Sequence, residues 1–194
     1  MPRDGGPARL RLQQAALELY EEHGFDRVTI AEIAARAEVT ERTFYRHFAD
    51  KREVLFDGER VLREKLTSGV RGAPQGLSAL SVLLWSFRST LPYLEGNRHL
   101  SEPLRRIIAA NPGLRERQQA KTAMLIEALG TALQERGVPG STASLAARVG
   151  MAAFAQAASV WFAHPEQDVS KLLGETFAEL RELTAALGAD QQVL

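Results

Sequence analysis

The sequence predicts an all-α chain, and three observations carry that prediction. Apolar residues recur at spacings of three and four, the repeat that gathers them on one side of a helix. Thr and Asp stand just before several of these runs, where a side-chain oxygen accepts from the first free amides of a helix, and Gly stands just after others, where it ends one. No stretch alternates apolar and polar residues as a half-buried strand does.

The first helix is expected from Pro7 to His23, with Leu12, Ala16, Leu19 and Tyr20 as its buried stripe, Gly24 as its stop and Phe25 plugging the core beside it. Thr29 caps a short second helix carrying Ile30, Ile33 and Ala34, and Glu32 completes a capping box. Ala37-Glu38-Val39 is long enough only for a turn. Thr40, with Thr43 three residues on, caps a third helix whose Phe44 and Phe48 face inward with Val39. Asp50 caps a fourth helix over Lys51 to about Thr67, Glu53 closing a second box, and Gly69 to Pro74 reads as a linker.

Beyond it, Leu77, Leu80, Leu84, Phe87, Leu91 and Leu94 mark one buried helix face, with Pro92 near its end. Further helices are expected over Arg98 to Ala110, before Asn111-Pro112, and over Pro112 to Arg136, ended by Gly137. The inward residues of the latter include Leu114, Met124, Leu125, Ala128, Leu129 and Leu133. An alanine-rich helix from Ser141 to Ala163 precedes a last one from Asp168 to Leu187, striped by Val169, Leu173, Phe177, Leu180 and Leu187. Asp190 to Leu194 reads as a frayed tail.

Composition bounds the function classes. A chain of 194 residues can bury a real core without staples, and with no cysteine it forms no disulfide and performs no thiol chemistry. The N-terminus lacks the apolar core of a signal peptide and no run reads as membrane-spanning, so a cytoplasmic protein without a membrane partner is expected. The 24 basic and 24 acidic side chains cancel, which leaves nucleic-acid binding to a local patch. Arg36, Arg42, Arg46, Lys51 and Arg52 cluster around the third helix, and Arg3, Arg9 and Arg11 crowd the N-terminal arm.

Two short helices joined by a turn form a helix-turn-helix, whose second helix enters the major groove of DNA. Thr40, Arg42, Thr43, Tyr45, Arg46 and His47 are left to face outward. Arg42 is the best candidate for a base contact, since a guanidinium pairs with the two major-groove acceptors of guanine. Thr43 suits a thymine methyl or a phosphate. Glu41 tolerates only a cytosine amino group and repels phosphate. Thr29 and Thr40 stand at helix N-termini, where backbone amides favour an anion. The plain alternative is a solvated helix face.

The pattern resembles the DNA-binding domain of the TetR family of bacterial transcriptional repressors. The matching residues are Arg11, Leu12, Ala15, Ala16, Leu19, Tyr20, Gly24, Phe25, Thr29, Ile30, Ile33, Ala34, Ala37, Val39, Thr40, Thr43, Tyr45, His47, Phe48, Lys51 and Leu55, within roughly 9–56. The resemblance implies that Tyr45, His47 and Lys51 grip phosphate. It implies an N-terminal three-helix helix-turn-helix domain (1–56) followed by a helical-bundle ligand-binding and dimerisation domain (57–194). It also implies a homodimer joined by a four-helix bundle, a palindromic double-stranded DNA operator, and a small-molecule effector that releases it; the apolar content of the helical body suggests that the effector is hydrophobic or amphipathic. Two positions depart from the family pattern: Glu38 stands where a turn glycine is commonest, and Gln13 where an apolar residue is usual.

For the effector site, the aromatic and polar residues of the helical body offer Trp85, Arg88, Tyr93, His99, Phe154 and Trp161. A buried Arg88 would need an anion, which a ligand carboxylate or phosphate would supply. The alternative is that the aromatics are plain core and that Arg88 pairs with Glu95, Glu102 or solvent. No catalytic residue, metal site or cofactor is predicted: the four histidines are scattered, and Gly69, Gly72 and Gly76 follow no strand. The competing class is an enzyme or carrier that reuses the bundle for a lipophilic substrate. An activator, differing only in the sign of coupling, stays open.

Overall fold

The computed structural model describes residues 6–190, with side chains placed over 7–185. Arg3, the tail after Asp190 and the side chain of Leu187 lie outside those residues. Among them are nine α-helices, one 3-10 turn and no strand: α1 (Gly6–His23), α2 (Ile30–Arg36), α3 (Glu41–His47), the 3-10 turn (Glu53–Phe56), α4 (Glu59–Gly72), α5 (Ala79–Gly96), α6 (Arg98–Ala110), α7 (Pro112–Glu135), α8 (Gly140–Ala163) and α9 (Val169–Asp190).

The chain forms two compact units, and they interleave. One joins the residues up to Arg60 to Gly96–Thr122; the other joins Val61–Glu95 to the residues from Ala123 onward. Each unit thus draws on two separate stretches of the sequence. The reason is the apolar face of α6 and of the start of α7. Ile107, Ile108 and Leu114 are buried in one core with Leu12, Leu19, Ile33, Phe44, Val54 and Leu55. Arg106 adds an ion pair to Glu21, and the Asn111 amide donates to Asp26.

Local chemistry fixes the ends of the short helices. Gly24 stops α1 at φ 81°. The Thr29 side chain accepts from the Glu32 amide while Glu32 accepts from the Thr29 amide, closing the expected capping box, and Thr40 accepts from the Thr43 amide. The fourth expected helix is corrected. Asp50 Oδ1 accepts from the amides of Arg52 and Glu53, as a cap should, but the turn it starts is 3-10 and closes at Phe56. The regular helix begins only at Glu59, beyond Gly58. The Glu53 carboxylate closes no box; it takes Arg117 and Lys121 of α7.

In the second unit the expected linker is a correction too, because Gly69 and Gly72 are helical. Gly69 is there for proximity: a Cβ on it would stand 2.9 Å from the Ser86 Cα of α5. Ser86 seals this crossing by donating to the Leu66 carbonyl at 2.6 Å. The core of this unit gathers Leu66, Val70, Leu83, Phe87, Leu129, Leu133, Ala147, Met151 and Leu173. Met124, expected inside, is 53% exposed. One described helix, α8, is long and apolar enough to cross a membrane by length and composition. That corrects the reading that no run qualifies; its Ala143, Ala147, Gly150, Ala157 and Trp161 are buried, as in a core helix.

Candidate nucleic-acid interface

The third helix is held from beneath and left bare above. Phe44 is fully buried and tilts against Phe48 at 5.6 Å between ring centroids. Tyr45, next to it, turns 56% of its surface outward while its ring edge meets Phe44. Glu41, Arg42 and Arg46 are exposed, and Thr43 and His47 are half-buried.

The cations around this helix divide into two groups. Arg36 is paired to Glu18 and Glu22 of α1, Arg52 to Asp50, and Arg9 in a bidentate pair to Asp57. Arg9 also lies over the Phe48 ring. Arg42 and Arg46, by contrast, have no hydrogen-bond or ion-pair partner among the described residues. Two guanidiniums, a phenol and a hydroxyl thus face outward from one seven-residue helix, while most of the neighbouring charge is neutralised internally.

Lys51 is engaged by backbone carbonyls. Its ammonium donates to the carbonyls of Phe25, Asp26 and Val28 at 2.9, 3.2 and 2.8 Å and lies over the Phe25 ring. All three of its protons are taken, and Tyr20 donates to the Lys51 carbonyl from the other side. Lys51 thus clamps the turn between α1 and α2. Thr29 is committed likewise to its capping box.

His47 is partly sheltered at the end of α3. Its Nε2 is buried without a hydrogen-bond partner among the described residues. Burial pushes the imidazole below its ordinary value of 6.5; Arg46 and Arg9 push the same way and Asp57 opposes them.

The turn before α3 places Glu38 at φ 54°. Its amide donates to the Ala35 carbonyl and that of Val39 to the Ala34 carbonyl, the pair of bonds that closes a helix through a left-handed residue. Glycine is the residue this position favours.

The six expected effector-site residues differ in exposure. Trp85, Arg88 and His99 are exposed, Tyr93 and Phe154 are half-buried and Trp161 is buried. His99 belongs to the first unit and the other five to the second. What the second unit does assemble is an aromatic stack of Phe87 on Phe154 at 4.7 Å, with Phe177 at 6.1 Å. The Arg88 guanidinium lies where a side chain on Gly174 would stand. A cleft of about 370 Å³ occurs in the first unit, lined by His23, Phe25, Asp26, Arg27, Ile107 and Asn111 among others, none of them an expected site residue.

Residues 12–57, which span α1 through the 3-10 turn, match the family described as bacterial regulatory proteins, tetR family. The likeness to the TetR family is shown for this segment, under a quarter of the chain. It is 31% identical over 114 residues to the HTH-type transcriptional regulator TcmR of Streptomyces glaucescens, a match that takes in 55% of this chain and 50% of TcmR. The chain thus aligns with about half the length of that curated relative. The likeness of fold runs much further. FadR of Thermus thermophilus, a TetR-family repressor solved with lauroyl-CoA, is 25% identical at a TM-score of 0.56 over 90% of this chain and 93% of that one. SmeT of Stenotrophomonas maltophilia, solved with triclosan, is 24% identical at 0.61 over 89% and 90%.

Within the TetR pattern, the residues that reading the sequence missed are structural partners of the site. Arg9 pairs with Asp57 and lies over the Phe48 ring, and α6 adds Ile107 and Ile108 to the core that holds Phe44 and Phe48. The apolar face of α6 is plain in the sequence; its partner is not, because an amphipathic face does not name what covers it.

Proposed function

We propose that this chain is a ligand-responsive transcriptional regulator: a cytoplasmic homodimer that represses by binding a palindromic operator and is released by a small hydrophobic or amphipathic effector. The observation that carries the reading is the bare face of α3, where Arg42, Tyr45 and Arg46 project without internal ion-pair partners while Phe44 and Phe48 anchor the opposite side. Arg42 reads a guanine, Thr43 a thymine methyl or a phosphate, and Glu41 a cytosine amino group. Tyr45, Arg46 and His47 set the register on the backbone. Two such helices reach half-sites one helical turn apart only in a symmetric pair, which is why a dimer belongs to the reading.

The effector part rests on the aromatic stack of Phe87, Phe154 and Phe177 in the helical body and on two structural neighbours solved with lauroyl-CoA and triclosan. Release follows if the effector binds better to a conformation whose reading helices are misplaced, because an effector shifts an equilibrium only by its differential affinity.

The test is fluorescence anisotropy of inverted-repeat duplexes from the DNA upstream of the chain's own reading frame, with stoichiometry measured at saturation. Salt-sensitive binding of two chains to one duplex, weakened by lauroyl-CoA or triclosan, supports the whole reading. Tight binding of either ligand with unchanged duplex affinity refutes the coupling. A monomer without preference for any inverted repeat refutes the regulator.

A further inference from the structure

One ammonium ties together both ends of the segment that follows the reading helix. Glu53 opens the 3-10 turn and Glu59 opens α4. Lys121 of α7 reaches both, with Nζ 3.4 Å from Glu53 Oε2 and 2.6 Å from Glu59 Oε2. Arg117, one helical turn earlier, donates to Glu53 Oε1 at 2.7 and 3.0 Å. The Lys121 ammonium also lies 5.3 Å from the centre of the Phe56 ring, midway along the segment. The group is sheltered: the Lys121 side chain is 15% exposed and that of Glu59 20%.

We propose that Lys121 is a positioning residue for the reading helix, a staple that holds the Glu53–Glu59 segment closed beneath α3. The proposal rests on the DNA-binding reading and deepens it. The stapled segment carries Val54 and Leu55, both buried in the same core as Phe44 and Phe48. An isolated exposed ion pair contributes little. Here one cation is shared by two sheltered carboxylates, and taking it away leaves Glu53 to Arg117 alone and removes the cation that Glu59 meets at 2.6 Å, so nothing ties the two ends of the turn together. The cheapest relief is for the segment to open, which re-aims the end of α3.

The staple also has a direction of control. Helix α7 is unbroken from Pro112 to Glu135, and its first half belongs to the unit that carries α3 while its second half belongs to the other. A slide of one residue along its axis, about 1.5 Å, is enough to break a short contact such as that to Glu59. The position of α7 and the aim of the reading helix are therefore linked through Lys121.

The experiment uses the full chain and the inverted-repeat duplex that the unaltered protein prefers, with an unrelated duplex for nonspecific binding. Lys121→Met keeps the stem and removes the charge. It should weaken specific binding about tenfold, the scale of losing one charge-assisted hydrogen bond, and leave nonspecific binding unchanged because no DNA-facing charge is lost. Lys121→Arg should restore the ratio of specific to nonspecific binding. Unchanged specific binding in Lys121→Met overturns the proposal, as does an equal loss on both duplexes or a failure of the Lys121→Arg rescue. If Lys121→Met does not fold, Glu59→Gln is measured in the same way under the same criteria. A parent chain that binds no duplex refutes the regulator reading instead. The staple is then read by hydrogen exchange: amides of Leu55 to Asp57 should lose protection in Lys121→Met, and retained protection there overturns it.

Discussion

Replacing Glu38 by glycine should stabilise this protein, and the size of the effect follows from its backbone. Glu38 is the one described residue other than glycine at positive φ. The left-handed region costs an L-residue roughly 1–2 kcal/mol. Glycine avoids that cost but loses more freedom on folding, returning roughly 0.5–1 kcal/mol. The net gain for Glu38→Gly is therefore about 0.5–1 kcal/mol, or a rise in Tm of about 1–4 °C for a chain of this size. The chain carries its own control. Gly137 closes α7 with the same two hydrogen bonds, Gly137 to Gln134 and Val138 to Leu133, at φ 88°. Gly137→Ala should lose about 1 kcal/mol. Urea unfolding followed by circular dichroism reads both: the midpoint rises for Glu38→Gly and falls for Gly137→Ala, each with an unchanged m value. A midpoint for Glu38→Gly that stays put or falls refutes the argument, since it means that the turn is not strained or that the Glu38 side chain stabilises it.

Three other outcomes follow from the interface. Arg42→Ala should cost about 1–3 kcal/mol of specific binding and relax preference at one base pair, checked by titrating single-base variants of the preferred duplex. Lys51→Met should destabilise the fold by about 1.5–3 kcal/mol, because three carbonyls lose a charged donor, yet leave the slope of log affinity against log salt unchanged; a slope reduced by one unit would return Lys51 to the phosphate contacts. His47 should make stability depend on pH. Its folded value lies below 6.5, so the unfolded chain takes up the proton first; the contribution is whole above 6.5 and is lost as pH falls through the folded value. His47→Asn should flatten that part of the profile, measured as the denaturation midpoint between pH 7.5 and 5.

The local grammar of this fold was plain in the chain itself. Thr29 with Glu32, Thr40 with Thr43, and Gly24 and Gly137 mark helix ends by side chains that act within a few residues, so they can be read without knowing the tertiary structure. What could not be read depends on distant partners. Lys51 carries the same charge whether it meets phosphate or three carbonyls of the preceding turn. Gly69 reads as a linker until Ser86 is seen pressed against it. Arg88 and Trp85 sit among leucines in sequence, yet the helix turns them outward, because a spacing of one residue rotates a side chain by about a quarter turn. The assignment of α6 to the first unit is the largest such case, since contacts with distant residues, among them the packing of Ile107 and Ile108 and the Arg106–Glu21 pair, decide it.

Methylation protection of guanine N7 tests the central claim most directly, because that atom lies on the major-groove edge that Arg42 is proposed to occupy. With saturating protein, the account predicts protected guanines in two patches one helical turn apart, and loss of one symmetric pair of them in Arg42→Ala. Full occupancy of the duplex with every N7 still reactive, or a pattern identical in Arg42→Ala, would mean that the exposed side of α3 does not lie in the groove.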